Sequence, residues 1–179
     1  MKHLLKSIVA KQNSCILQLN SKMNIISEKK RGDNMEVTRN QIAELFQDGL
    51  NCTQIVLSHF CEKYCMEKEE AIRIGCGFGG GVREGELCGA VSGAIMVIGL
   101  KYGNSKAEDS KSKSECYQRT QEFTKKFRED NGSIVCKELL GCDISKEDGM
   151  KKAQNEGLFQ TRCVDVVLSA IQILSQLGY

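Results

Sequence analysis

From Thr38 onward the apolar residues of this chain recur three and four apart, and nowhere do they alternate convincingly with period two. A chain patterned in this way buries its apolar faces by packing helix on helix. Proline does not interrupt it: the 179 residues contain none, where usage of about 5% would give roughly nine. Thr38 and Gln41 form a capping box ahead of Ile42, Leu45 and Phe46, and Gly49 stops that run. Asn51 caps a second helix with Cys52, Ile55, Val56, His59 and Phe60 on one face. Residues 67–73 make a short charged helical segment, and residues 86–102 an apolar helix. Residues 110–130 are amphipathic through Cys116, Phe123 and Phe127, and Asn131-Gly132 ends them. A short segment at 133–140 carries Cys136, and residues 159–177 form a last helix with Cys163, Val166, Val167, Ala170, Ile173 and Leu174 inward. The expected fold is all-α: a single-domain bundle of about five main helices, with a glycine-rich loop before a buried apolar helix.

Length allows one core that buries roughly two-thirds of the unfolded surface. Residues 35–179 are expected to form that domain. Residues 1–34 read as a poorly ordered or peripheral basic extension: they hold seven Lys or Arg against two acids, while the remaining 145 carry 18 basic and 21 acidic residues. Polar residues break up the apolar stretches of this segment, so it has no signal-peptide core, and Gln12-Asn13-Ser14 ahead of Cys15 do not form a lipoprotein cleavage site. Met35 stands directly before a clean helix start, so the extension also fits an upstream choice of start site. A net charge of +2 gives no reason to expect nucleic acid as a partner. No apolar run reaches the ~18 residues of a membrane helix, so the chain is not expected to span one. Ten Cys in 179 residues fall below the ~8–10% of a secreted disulfide scaffold, which favours a reducing, cytoplasmic setting.

Residues 75–93, GCGFGGGVREGELCGAVSG, contain eight Gly and satisfy GxGxxG through Gly75, Gly77 and Gly80. The context does not suit a dinucleotide: a charged segment precedes the run instead of a buried strand, and after Glu86 the next acid is Glu108. The run reads better as an irregular loop whose backbone passes close to something, leading into a helix packed through Gly89, Ala90, Ser92, Gly93 and Gly99. The cysteines include no CxxC pair, and Cys61 and Cys65, four apart, could face one ligand but form a weak signal. Cys52 and Cys88 lie at predicted helix starts, where free N–H groups and the helix dipole favour a thiolate. Thiolates converging from several helices could ligate an iron–sulfur cluster or zinc, or form redox pairs, and buried thiols also serve as small hydrophobes. The two histidines offer little: His3 lies in the extension, and His59 is two helical turns, about 10 Å, from Cys52.

The stretch GFGGGVREGELCGAVSGAIMVIGLKYG at 77–103 resembles the signature of a family of small redox-active proteins labelled C-GCAxxG-C-C, named for four cysteines. The label writes Gly-Cys-Ala where this chain has Cys88-Gly89-Ala90, and Cys-Gly-Ala-x-x-Gly is taken as the working motif. Asn51-Cys52 with Gln54 and Val56, the run GSIVCKELLG at 132–141, and Cys163-Val164 agree with it, so that the resemblance covers residues 38–177. Carried over by position, the four cysteines are Cys52, Cys88, Cys136 and Cys163, with Cys142 as an alternative for the last place. The resemblance implies redox activity or cluster binding at these four, with an electron-transfer or thiol partner. Cys88 is the candidate nucleophile and Cys52 its companion. Iron–sulfur ligation and thiol/disulfide pairs both stand open, zinc fitting less well than iron. The competing reading is a non-enzymatic binding or structural module with a structural zinc or no metal, and a third is an enzyme that holds an anion on the glycine loop, for which no general base is evident. A homo-oligomer is left open.

Overall fold

A computed structural model describes residues 37–179, Val37–Tyr179. The basic extension at 1–34, with His3 and Cys15, lies outside the described residues. Eight α-helices occur within them: α1 Arg39–Gln47, α2 Cys52–Phe60, α3 Lys68–Gly75, α4 Gly89–Tyr102, α5 Ser110–Asn131, α6 Cys136–Leu140, α7 Glu147–Asn155 and α8 Arg162–Gln176. The all-helical expectation therefore holds for this region, with a larger count than the five main helices expected. The difference lies in short helices: α3 and α6 fall on segments the pattern marked as short, whereas α7 buries only Ala153 and so leaves almost no apolar periodicity to read.

Both predicted caps form. Thr38 Oγ1 accepts from Gln41 N at 3.3 Å and Gln41 Oε1 accepts from Thr38 N at 2.9 Å. Asn51 Oδ1 accepts from Thr53 N and Gln54 N, and Gln54 Oε1 accepts from Asn51 N at 2.9 Å. Gln54 then donates through Nε2 to Ile72 O at 2.9 Å, which ties α3 to α2.

The core is built around α4. Its sequence is apolar on every side, as a helix enclosed by neighbours requires, and it packs against α2, α5 and α8. In contrast α5 fully buries only Phe123 and Phe127, with Cys116 half-buried against the core. A single antiparallel bridge joins Leu87 to Val135, through Cys88 N donating to Ile134 O at 2.8 Å and Cys136 N donating to Glu86 O. This is the only extended pairing among the described residues. It brings together two segments that are 48 residues apart in sequence, each ending in a cysteine.

Candidate functional site

Four helix beginnings converge on one cavity of about 370 Å³. Cys52 is the first residue of α2, Cys88 immediately precedes α4, Cys136 is the first residue of α6 and Cys163 the second of α8. All four line the cavity, and all four are buried, at 9%, 3%, 7% and 6% exposure respectively. Cys163 comes so near its helix start because Gly157, at φ +63°, turns the chain after α7, and α8 begins at Arg162 rather than at the expected residue 159. Cys88 stands just outside its helix, contrary to expectation: the bridge to Ile134 holds it extended, at φ −54° and ψ 133°.

The glycines of the 75–93 run make this convergence possible. A Cβ on Gly89 would lie 2.9 Å from Thr53 Oγ1 and 3.1 Å from Cys52 Cβ, so α2 and α4 meet with backbone nearly in contact. On Gly81 it would lie 2.5 Å from Glu86 N and 2.9 Å from Cys136 Cβ. The expected close approach of the glycine loop is thus an approach to the Cys136 segment. Gly99 serves no such purpose, since nothing lies within 4 Å of a Cβ placed there.

Residues 50–177 match the family described as "Putative redox-active protein (C_GCAxxG_C_C)". The chain belongs to that family. No curated protein and no solved structure matches it. The matched region contains Cys52, Cys88, Cys136 and Cys163, the Cys88-Gly89-Ala90-Val91-Ser92-Gly93 motif and the bridge that aligns Cys88 with Cys136.

Within this site the thiols are electrostatically unequal. Cys52 and Cys163 are close enough to influence each other's ionisation. The neighbouring Cys163 and burial push the Cys52 pKa well up, whereas the Cys163 pKa is lowered by Cys52 and by the adjacent Arg162 cation, which outweigh its own burial. Burial raises Cys88 to about 11, although the N–H groups of Ala90 and Val91 donate to it and pull the other way. Burial, with Cys88 and Cys163 beside it, raises Cys136 to about 12. The helix-start argument singled out Cys52 and Cys88 as thiolates. Cys52 is instead raised first by its neighbour Cys163 and then by burial, Cys88 is raised by burial, and Cys163 is the one of the four whose pKa is lowered.

Arg162 was not singled out from the sequence, although it stands beside a motif cysteine. Its Nε donates to Leu139 O at 3.1 Å and its Nη2 to Asn131 O at 2.9 Å, so the guanidinium is fixed at the cavity wall. Cys76, exposed and on the cavity wall, was also overlooked. Cys142 lies past α6 and does not line the cavity, and neither do Cys61, Cys65, Cys116 or His59. His59 is on the outer side of α2, edge-on to Phe60 at 4.8 Å.

Among the described residues no group of three or more His, Cys, Asp or Glu side chains is placed to hold a metal ion. Cys52, Cys88, Cys136 and Cys163 have the chemistry of an iron–sulfur ligand set and would be the residues to hold a cluster.

Proposed function

We propose that this protein carries out thiol–disulfide exchange with Cys163 as the attacking thiolate and Cys52 as the resolving thiol, in a reducing, cytoplasmic setting that keeps the resting pair reduced. One observation carries this reading: Cys52 and Cys163 are buried on the wall of one cavity together with Arg162, and they influence each other's ionisation so that Cys163 is the one with the lowered pKa. A disulfide between them requires the sulfurs to come to ~2.0 Å. A partner disulfide supplies the oxidant. Cys163 attacks one of its sulfurs and expels the other as a thiolate; Cys52 then gives up its proton, attacks Cys163 Sγ and releases the second thiolate. The protein loses two electrons and the partner disulfide becomes two thiols. Cys88 and Cys136 remain protonated near neutrality and constitute a second, less readily ionised pair. The cluster reading draws on the same four sulfurs. The zinc or metal-free structural module predicts inert thiols instead.

The test is anaerobic purification with analysis for iron, zinc and sulfide, followed by reaction of the reduced protein with limiting disulfide and mass mapping. The expected product is a Cys52–Cys163 disulfide. Cys163→Ser should lose exchange by at least roughly a hundredfold, since the hydroxyl left in its place is not ionised at neutral pH. Cys52→Ser should stall as a mixed disulfide on Cys163, and Cys61→Ser, outside the cavity, should behave as the parent. Stoichiometric iron with sulfide would replace this reading with a cluster, and zinc with unreactive thiols would replace it with a structural site.

A further inference from the structure

The walls of the cavity indicate what enters it. Of the five cysteines on its wall Cys76 is exposed, whereas none of Cys52, Cys88, Cys136 and Cys163 is more than 9% exposed, so a disulfide on the surface of a folded partner does not meet these four unless something inserts. A volume of about 370 Å³ falls in the usual range, about 300–1,000 Å³, of small-molecule pockets. Phe46, Leu50, Leu140, Ile144, Met150 and Phe159 provide an apolar lining. Two charged residues complete the wall, Arg83 and Arg162, and both are cations. Among the described residues no carboxylate lines the cavity and neither arginine forms an ion pair, although six such pairs occur elsewhere in the same region. Arg162 is held rigidly by two backbone carbonyls.

Arg83 reaches the wall from a strained loop. It follows Val82 in the loop Gly81–Gly85, and both non-glycine residues are left-handed, Val82 at φ 53° and Arg83 at φ 66°. Each such residue costs on the order of 1 kcal/mol, and strain of this kind collects at ligand clamps. Glycine would adopt that conformation without strain, but it could not bring a guanidinium to the cavity.

We propose that the substrate is a small organic disulfide bearing a carboxylate, with its apolar part against the Phe46–Phe159 wall and the carboxylate between Arg83 and Arg162. This rests on the thiol–disulfide reading above. The exchange then balances within the cavity: the Cys163 thiolate displaces one RS⁻ from RS–SR, the Cys52 proton passes to that leaving group, and attack of Cys52 on the mixed disulfide frees the second RS⁻. One RSH, one RS⁻ and the Cys52–Cys163 disulfide result.

The experiment measures how fast the Cys52–Cys163 disulfide appears, by acid quench and mass mapping, with two probes. Dithiobis(nitrobenzoate) is an aromatic disulfide carrying carboxylates, and dithiodipyridine is an uncharged one. Arg83→Asn removes the charge and keeps a residue that tolerates left-handed backbone. The expected result is a roughly fivefold to tenfold slower reaction with dithiobis(nitrobenzoate), the scale of one lost charge contact at a partly solvated site, and an unchanged rate with dithiodipyridine. Equal slowing with both probes, or none with either, overturns the carboxylate site. Calorimetry with the thioether dicarboxylate thiodipropionate, which cannot exchange, separates the two claims. Binding to the parent that weakens in Arg83→Asn supports the anion site even if neither probe yields the Cys52–Cys163 disulfide, an outcome that would overturn the redox reading alone. Absence of thiodipropionate binding overturns the anion site itself.

Discussion

The two ends of α4 are packed on different principles. At its N-terminal end, Gly89 and Gly93 bring the helix against α2 so closely that a Cβ on Gly93 would lie 2.9 Å from Val56 Cβ and 3.0 Å from Thr53 O. Thr53 Oγ1 donates to Gly89 O at 2.8 Å, joining the two helices by a buried hydrogen bond. At the C-terminal end the neighbours stand further off and large side chains fill the space. Tyr102 meets Tyr179 edge-on at 5.8 Å, and the Lys101 ammonium lies 4.9 Å and 4.8 Å from the two ring centres. Between α2 and α4 close approach is built where Cys52 and Cys88 share a cavity, and large side chains fill the space near Tyr102. Gly89 and Gly93 thus let the two helices meet and bring Cys52 and Cys88 to one wall.

The most severe way to break this arrangement is to add bulk at Gly93. Gly93→Val forces a branched side chain into space held by Val56 and the Thr53 backbone, neither of which can swing away. Overpacking of this kind costs about 3 kcal/mol. The expected outcome is a clearly lower denaturation midpoint, together with loss of the Cys52–Cys163 disulfide product as α2 and α4 separate. Unchanged stability would mean that the helices part readily and that their contact does not position the cysteines.

An alkaline titration distinguishes the ends more gently. Cys88 and Cys136, raised to about 11 and about 12, stay protonated in the folded chain above the ~8.5 at which an unfolded cysteine ionises. Their contribution to stability is complete below that value and is lost as pH rises toward the folded values. At pH ~10 the loss is on the order of 2 kcal/mol for each. Cys163 runs oppositely: its contribution is complete above the ordinary thiol range and is lost as pH falls through its lowered value. At the other end the contribution of Tyr64, raised by burial to about 12, is complete below the ~10 of a free tyrosine and is lost only above it. Denaturant midpoints against pH should therefore fall in two stages, and Cys88→Ser should make the first shallower while leaving the second. A single fall beginning near pH 10 would show that the cavity thiols are not protected from ionisation.

Much of this was legible in the sequence because it is local. The capping box at Thr38, the cap at Asn51, the stop at Gly132 and the apolar face of α8 all lie within a few residues of the element they define. The four cysteines were legible as a set through the family resemblance. Their inequality was not, because it arises from long-range burial and from contact between Cys52 and Cys163, which are 111 residues apart. The Leu87–Val135 bridge was equally hidden: one pair of residues gives no period to detect. Arg162 offered a usable signal, a cation next to a motif cysteine, but its meaning depended on where α8 begins.

The smallest expected effect tests the comparison from the opposite side. Gly99 lies on the same helix as Gly93, six residues along, in a helical conformation, and a Cβ added there would have nothing within 4 Å. Alanine at this position keeps the helix, loses less backbone entropy on folding and meets no neighbour, so Gly99→Ala should stabilise by about 0.5–1 kcal/mol. Its thiol chemistry should match the parent, because Gly99 is remote from the cavity wall. Destabilisation by Gly99→Ala would mean that the C-terminal end also depends on close approach, and the distinction between the two ends of α4 would fail. A gain at Gly99 beside a loss at Gly93 would instead separate glycine as a local helix weakness from glycine as the condition for two helices to meet.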